Sequence, residues 1–255
     1  MNQCLNNQEK IWLKYYTGDV YGSDSFWSEP KAYLVLNSLL YDGLETEISR
    51  AREGKFLNPS ILDDVERLMD FYDNMLSAFR KCHSDRNIRT YRVERYSDFQ
   101  PIKKINHTIS FTSTSTGGFL DAYRDRKGIA LIKFIIPENV SCINVAEVLD
   151  YYAKSEEQEV LLPPFMRLEI MENELSEAEM KITDSDGKSP EISCMAVCSP
   201  VNIKERTENI SRDGAYAGQR IYTALNNRKI PEKSDIETYT QWKKKLHMIY
   251  KNCCT

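Results

Sequence analysis

At 255 residues, 41% of them hydrophobic, the chain can bury one sizeable core with a smaller lobe, or two small lobes sharing a cleft, which excludes a disordered polypeptide. Its 34 Lys and Arg stand against 38 Asp and Glu, a net charge of -4, and such a balance gives no global field to attract nucleic acid. No apolar run is long enough to span a bilayer, so there is no strong membrane signal either.

From Gln8 to Cys82 the pattern is helical. Ile11 to Tyr16 and Ala32 to Tyr41 are short helical stretches, parted by the turn-rich Thr17-Gly18-Asp19 and Tyr21-Gly22-Ser23-Asp24. The clearest helix opens at Asn58-Pro59-Ser60. Ser60 caps it, Asp63 and Asp64 suit its first turn, and Ile61, Val65, Leu68, Tyr72, Met75 and Phe79 recur at helical spacing. After His83-Ser84-Asp85 the period shortens towards two and β-branched and aromatic residues take over. Strands are predicted at Arg89 to Arg95, Thr108 to Ser113, Ile129 to Ile136, Glu159 to Met171, Glu179 to Thr183 and Ile192 to Val201. Between the last two, Asp184-Ser185-Asp186-Gly187-Lys188 carries hairpin chemistry. Beyond Asn202 the chain is polar, with a glycine-containing stretch from Asp213 to Gly218, and a final helix is predicted from Ser234 to Lys251. Its Lys243, Lys244, Lys245 and Lys251 read as a solvated face. The expected organisation is a helical lobe over 1–85, a β-sheet core over 86–203 forming one integrated domain with that lobe, and a C-terminal helical extension over 204–255.

Cys4, Cys82, Cys142, Cys194, Cys198, Cys253 and Cys254 form an odd, scattered set without a Cys-x-x-Cys pair, which predicts a reducing compartment of synthesis. His83, His107 and His247 lie near no cysteine pair, so catalysis without metal is expected. Met1 to Glu9 lacks the basic start and apolar run of an export signal, which predicts synthesis in the cytoplasm without a cleavable signal peptide.

Three segments carry the chemistry: Thr90-Tyr91-Arg92, Phe111-Thr112-Ser113-Thr114-Ser115, and Glu156-Glu157-Gln158-Glu159 followed by Val160-Leu161-Leu162-Pro163-Pro164. They supply an arginine, hydroxyls and two carboxylates, a set suited to cleaving a sugar-to-nitrogen bond beside a pyrophosphate, as in NAD. The Arg92 guanidinium binds two phosphate oxygens at once and stays charged at any working pH; the alternative is a strand arginine paired with Glu94. Ser113 and Ser115 share one face of an extended segment and Thr114 the other; the alternative is a strand-end or turn role. Glu157 and Glu159, two apart, share a face on an extended chain, and Glu159 adjoins the apolar Val160-Leu161-Leu162, where a carboxylate acts in low dielectric. Their alternative is a charged loop before a strand.

On these residues the chain resembles the mono-ADP-ribosyltransferases of the arginine, serine, glutamate class, which includes many bacterial toxins and effectors. The resemblance covers roughly Gln8 to Val201, and the intervals from Arg92 to Ser113 and from Ser113 to Glu159 are 21 and 46 residues. It implies an α+β fold of two packed, mainly antiparallel sheets forming an NAD cleft, with N-terminal helices and a C-terminal helical tail. It also implies NAD as co-substrate. In that family the glutamate at 159 accepts a hydrogen bond from the ribose 2'-hydroxyl as nicotinamide leaves, and the first serine holds the glutamate. A glutamate at 157 implies an arginine acceptor on a protein target. The resemblance further implies cofactor contacts from Tyr91, Arg92, Ser113, Thr114, Ser115 and Glu159, with Gly117, Gly118, Phe119 and Arg124 in a loop over phosphate and nicotinamide. Tyr151 or Tyr152 is the expected aromatic of a target-recognising turn. Many members place glycine directly after the arginine, where this chain has Val93. The rival readings are an NAD glycohydrolase, transfer to a non-arginine acceptor, or a binding module on the same scaffold. An effector or toxin component is the expected setting.

Overall fold

The computed structural model describes residues 5–17, 32–56, 60–117, 127–149, 158–174, 176–177, 179–202 and 212–251. The chain divides into two compact units, one from residues 1–10, 77–203 and 253–255, the other from 11–76 and 204–252.

The helices are α1 (Asn7–Thr17), α2 (Ala32–Asp42), α3 (Glu45–Arg52), α4 (Val65–Lys81), α5 (Tyr96–Ile105), α6 (Val145–Val148), α7 (Arg212–Asn226) and α8 (Lys233–Lys251). Before α4, Ser60 forms a capping box with Asp63: its hydroxyl accepts from the Leu62 amide at 3.1 Å while the Asp63 carboxylate accepts from the Ser60 amide at 2.8 Å. The box caps a separate 3-10 turn, Ile61–Asp63, and α4 starts after it. In the second unit Phe71 of α4 stacks on Trp12 at 5.0 Å. The glycine-containing stretch from Asp213 to Gly218 lies within helix α7. Gly214 is required there, because a Cβ would sit 2.2 Å from Cγ of Trp242 on α8. Arg212, at the start of α7, meets Glu66, Asp70 and Asp73 of α4 at 2.8–2.9 Å.

Among its described residues the first unit carries seven strands: β1 (Ile88–Arg95), β2 (Thr112–Ser115), β3 (Ile129–Ile136), β4 (Ile143–Asn144), β5 (Glu159–Leu162), β6 (Leu168–Glu172) and β7 (Ile192–Cys198). They form one hydrogen-bonded order, β4-β5-β2-β1-β3-β7-β6, with β3 and β7 the parallel pair. The fold is α+β, as expected, but the strands do not separate into two sheets. β1 pairs with β3 over its full length, whereas its register with β2 is the single pair Tyr91↔Ser115. Three strands and four are thus joined at one rung.

Three local readings are corrected. Residues 179–181 form a 3-10 turn, not a strand, because Glu179 is buried and paired with Lys133 of β3 at 2.6 Å, an anchor that alternation could not reveal. The run from Glu159 to Met171 is two strands broken at Pro163-Pro164-Phe165, where Phe165 has φ 63. Thr108 holds that corner, donating to the Pro163 carbonyl at 2.8 Å and accepting from the Met166 amide at 2.9 Å. Thr108 is spent on this corner, and β2 starts only at Thr112. Helix α5 also follows β1 directly, its pattern hidden by Pro101 in its interior.

Candidate active site

Arg92 and Glu94 lie on one face of β1, Tyr91 and Val93 on the other. Val93 belongs to an apolar cluster with Ile129 and Leu131 against which Tyr91 and Ile182 pack. The structure therefore does not bring Tyr91 to the Arg92 face: β alternation that points one residue at the site turns its neighbour away.

The Arg92 guanidinium is held from two directions. Nε and Nη2 donate to the two oxygens of Glu94 at 3.1 and 2.9 Å, while Nη1 donates to the Ser113 carbonyl at 2.8 Å. Extending the register from Tyr91↔Ser115 would set Val93 opposite Ser113. The ladder stops short of that pair, and the guanidinium occupies the carbonyl instead. The side chains are 24% and 12% exposed, so this pairing is largely withdrawn from the screening that makes surface ion pairs weak.

Ser113 is the joint of the site. Its carbonyl accepts from Arg92, and its hydroxyl donates to Glu159 Oε1 at 2.6 Å. β2 pairs with β5 so that Ser115 faces Glu159 and Ser113 faces Leu161; the hydroxyl reaches the carboxylate on the diagonal, within the reach of cross-strand neighbours. Glu159 is 7% exposed and is followed by the fully buried Val160, Leu161 and Leu162. Ser115 is half-buried on the Ser113 face, and its hydroxyl accepts from the Gly117 amide at 3.4 Å. Thr114 is on the other face, buried, with its hydroxyl donating to the Val160 carbonyl at 2.7 Å. It ties β2 to β5 and is not brought to the Arg92 side.

Thr116 and Gln158, to which the sequence reading gave no role of their own, are tied together. Thr116 donates its hydroxyl to Gln158 Oε1 at 2.7 Å and its amide to the Gln158 carbonyl at 3.2 Å. Gln158 has φ 45, so the extended alternation invoked to place Glu157 beside Glu159 does not run through it. Nothing in the sequence marks a glutamine for the left-handed region. Glu157, Tyr151, Tyr152, Gly118, Phe119 and Arg124 lie outside the described residues.

Other chemistries find little support among the described residues. No group of three or more His, Cys, Asp or Glu there could hold a metal ion, and no helix is long and apolar enough to cross a membrane. Burial pushes the Cys82 and Cys142 thiols up to about 12 and Cys194 to about 11, and it raises Cys198 as well. Burial thus disfavours the thiolate form at all four.

No protein-family model matches the sequence, and no curated protein matches it. Solved structures do. The chain is similar to the ADP-ribosylating toxin BECa of a C. perfringens binary enterotoxin, solved with NADH, at 18% identity and a TM-score of 0.50, over 78% of this chain and 45% of that one. The chain has the ADP-ribosyltransferase fold. It thus spans under half the length of that toxin. It is also similar to the Clostridium limosum C3 exoenzyme, at 15% identity and a TM-score of 0.49, over 78% of this chain and 88% of that one. Within this ADP-ribosyltransferase fold the Arg92, Ser113 and Glu159 side chains all come from strands β1, β2 and β5, which are neighbours in the sheet order.

Proposed function

We propose that the chain is an NAD-dependent mono-ADP-ribosyltransferase that modifies arginine of a protein target, with NAD as co-substrate and without metal. The observation that carries this reading is the junction at Ser113, whose hydroxyl donates to Glu159 while its carbonyl accepts from Arg92. A cation and a buried carboxylate are thereby fixed on either side of one serine. The fold shared with a toxin named as ADP-ribosylating and solved with NADH supports a dinucleotide substrate, and supports a bacterial toxin or effector as the setting.

In this reading Arg92 binds pyrophosphate oxygens. Ser113 fixes the rotamer of Glu159. Glu159 accepts a hydrogen bond from the ribose 2'-hydroxyl and, shielded from water, stabilises the positive ribosyl centre as the bond to nicotinamide breaks and nicotinamide leaves with the electron pair. The acceptor guanidinium then attacks the same carbon, and Glu157 takes up its proton. Tyr151 or Tyr152 stacks on the acceptor side chain, and Gly117, Gly118, Phe119 and Arg124 cover the phosphates and nicotinamide.

Incubation with labelled NAD and a cell lysate should transfer label to protein, with mass spectrometry placing it on arginine. Glu159→Ala should lower nicotinamide release by about a hundredfold or more, and Glu157→Gln should abolish protein transfer while NAD hydrolysis persists. Label on another residue type would remove the arginine assignment alone. An absence of both label and nicotinamide release would overturn the whole reading.

A further inference from the structure

We propose that Glu94 is a positioning residue that sets the affinity for NAD by locking the orientation of Arg92. This rests on the reading of Arg92 as the pyrophosphate anchor and goes beyond it, since Glu94 has no counterpart among the residues assigned above. Glu94 sits two residues beyond Arg92 on the same face of β1, and both its oxygens accept from the guanidinium, at 3.1 Å from Nε and 2.9 Å from Nη2. The fork is planar on both sides, so two contacts fix the guanidinium plane as well as its place. The third contact, Nη1 to the Ser113 carbonyl at 2.8 Å, ties that plane to the strand whose serine holds Glu159. An arginine is otherwise a long side chain with many rotamers, and ordering it only when the dinucleotide arrives would subtract from binding.

The two physical roles open to Glu94 predict opposite signs. A carboxylate beside a cation repels the negative charges of a pyrophosphate, so through-space electrostatics alone makes its removal tighten NAD binding. A rotamer lock makes removal weaken it. The structure favours the lock, because the pair is bidentate and only 24% and 12% exposed.

The test is calorimetric titration of NAD into wild type, Glu94→Ala, Glu94→Asp, Arg92→Lys and the Arg92→Lys/Glu94→Ala double variant, with nicotinamide release measured alongside. Glu94→Ala is expected to weaken NAD binding by about tenfold while kcat stays within about threefold, a split that general loss of folded protein would not produce. Glu94→Asp, which keeps the carboxylate, should recover part of the affinity. In the Arg92→Lys background Glu94→Ala should change binding by less than about twofold, since the effect passes through the guanidinium. Equal or tighter binding by Glu94→Ala overturns the proposal, as does an undiminished effect in the Arg92→Lys background; in either case the assignment of Arg92 stands. If wild type binds no NAD, the function and the proposal fall together.

Discussion

Ser113 makes two contacts of different kinds, and they separate by mutation. Its carbonyl bond to Arg92 belongs to the backbone and survives any side-chain change, whereas its 2.6 Å bond to Glu159 does not. Ser113→Ala should therefore leave NAD affinity nearly unchanged and lower kcat for nicotinamide release by about tenfold to a hundredfold, the range expected when a buried charged acceptor loses a donor worth about 1.5–3 kcal/mol. Steady-state kinetics with NAD alone, read as separate kcat and KM, checks this. The hydrogen bond between Ser113 and Glu159 was legible in the sequence, because order, spacing and residue type concur there. Glu94 was legible only as a rival partner for Arg92. That the partnership is screened from water depends on strands β2 and β3 flanking β1, which no local pattern reports.

Among the elements, the long strands and the amphipathic helix α4 followed their periodicity, since a buried face imposes its period on the sequence. Elements held by a few polar anchors did not. The segment 179–188 is the clearest case: its start is set by the Glu179 pair with Lys133, and its turn by Asp184. The Asp184 carboxylate accepts from the amides of Lys188 and Asp186 at 2.9 Å and from that of Gly128 at 3.1 Å, where the chain enters β3. These backbone bonds, that from Lys188 foremost, hold its pKa below the ordinary 3.8. A folded value below the unfolded one means that the stabilisation is complete above the unfolded pKa and is lost as pH falls through the folded one. Asp184→Ala should accordingly melt below wild type at pH 7, and the two melting curves should converge as the pH drops under about 3.8; thermal scans between pH 7 and pH 3 read the gap.

On the scale of the whole molecule, each unit is assembled from segments far apart in sequence. The helical unit takes Gly43, at the turn after α2, as a carbonyl partner for the Tyr239 hydroxyl on α8, and Lys243 of α8 meets Glu45 of α3 at 2.7 Å. Ile221, Tyr222, Tyr239, Trp242 and Leu246 are all buried. Helices α7 and α8 are thus core material for that unit. Sequence polarity alone suggested an appendage, because α7 places much of its buried face on glycine and alanine, Gly214, Ala215, Ala217 and Gly218, beside Ile221 and Tyr222. A chain ending at residue 203 should show rapid proteolysis within residues 11–76 and a marked fall in soluble yield, measured against the full chain by limited digestion and mass spectrometry.

The division of the helical unit between 11–76 and 204–252 also orders events during synthesis. All seven described strands have been synthesised once Cys198 is made, while the first helices must still wait for their late partners. Nascent chains stalled near residue 200 should expose the apolar faces of α2 and α4 to chaperones, and release of the remaining residues should end that exposure.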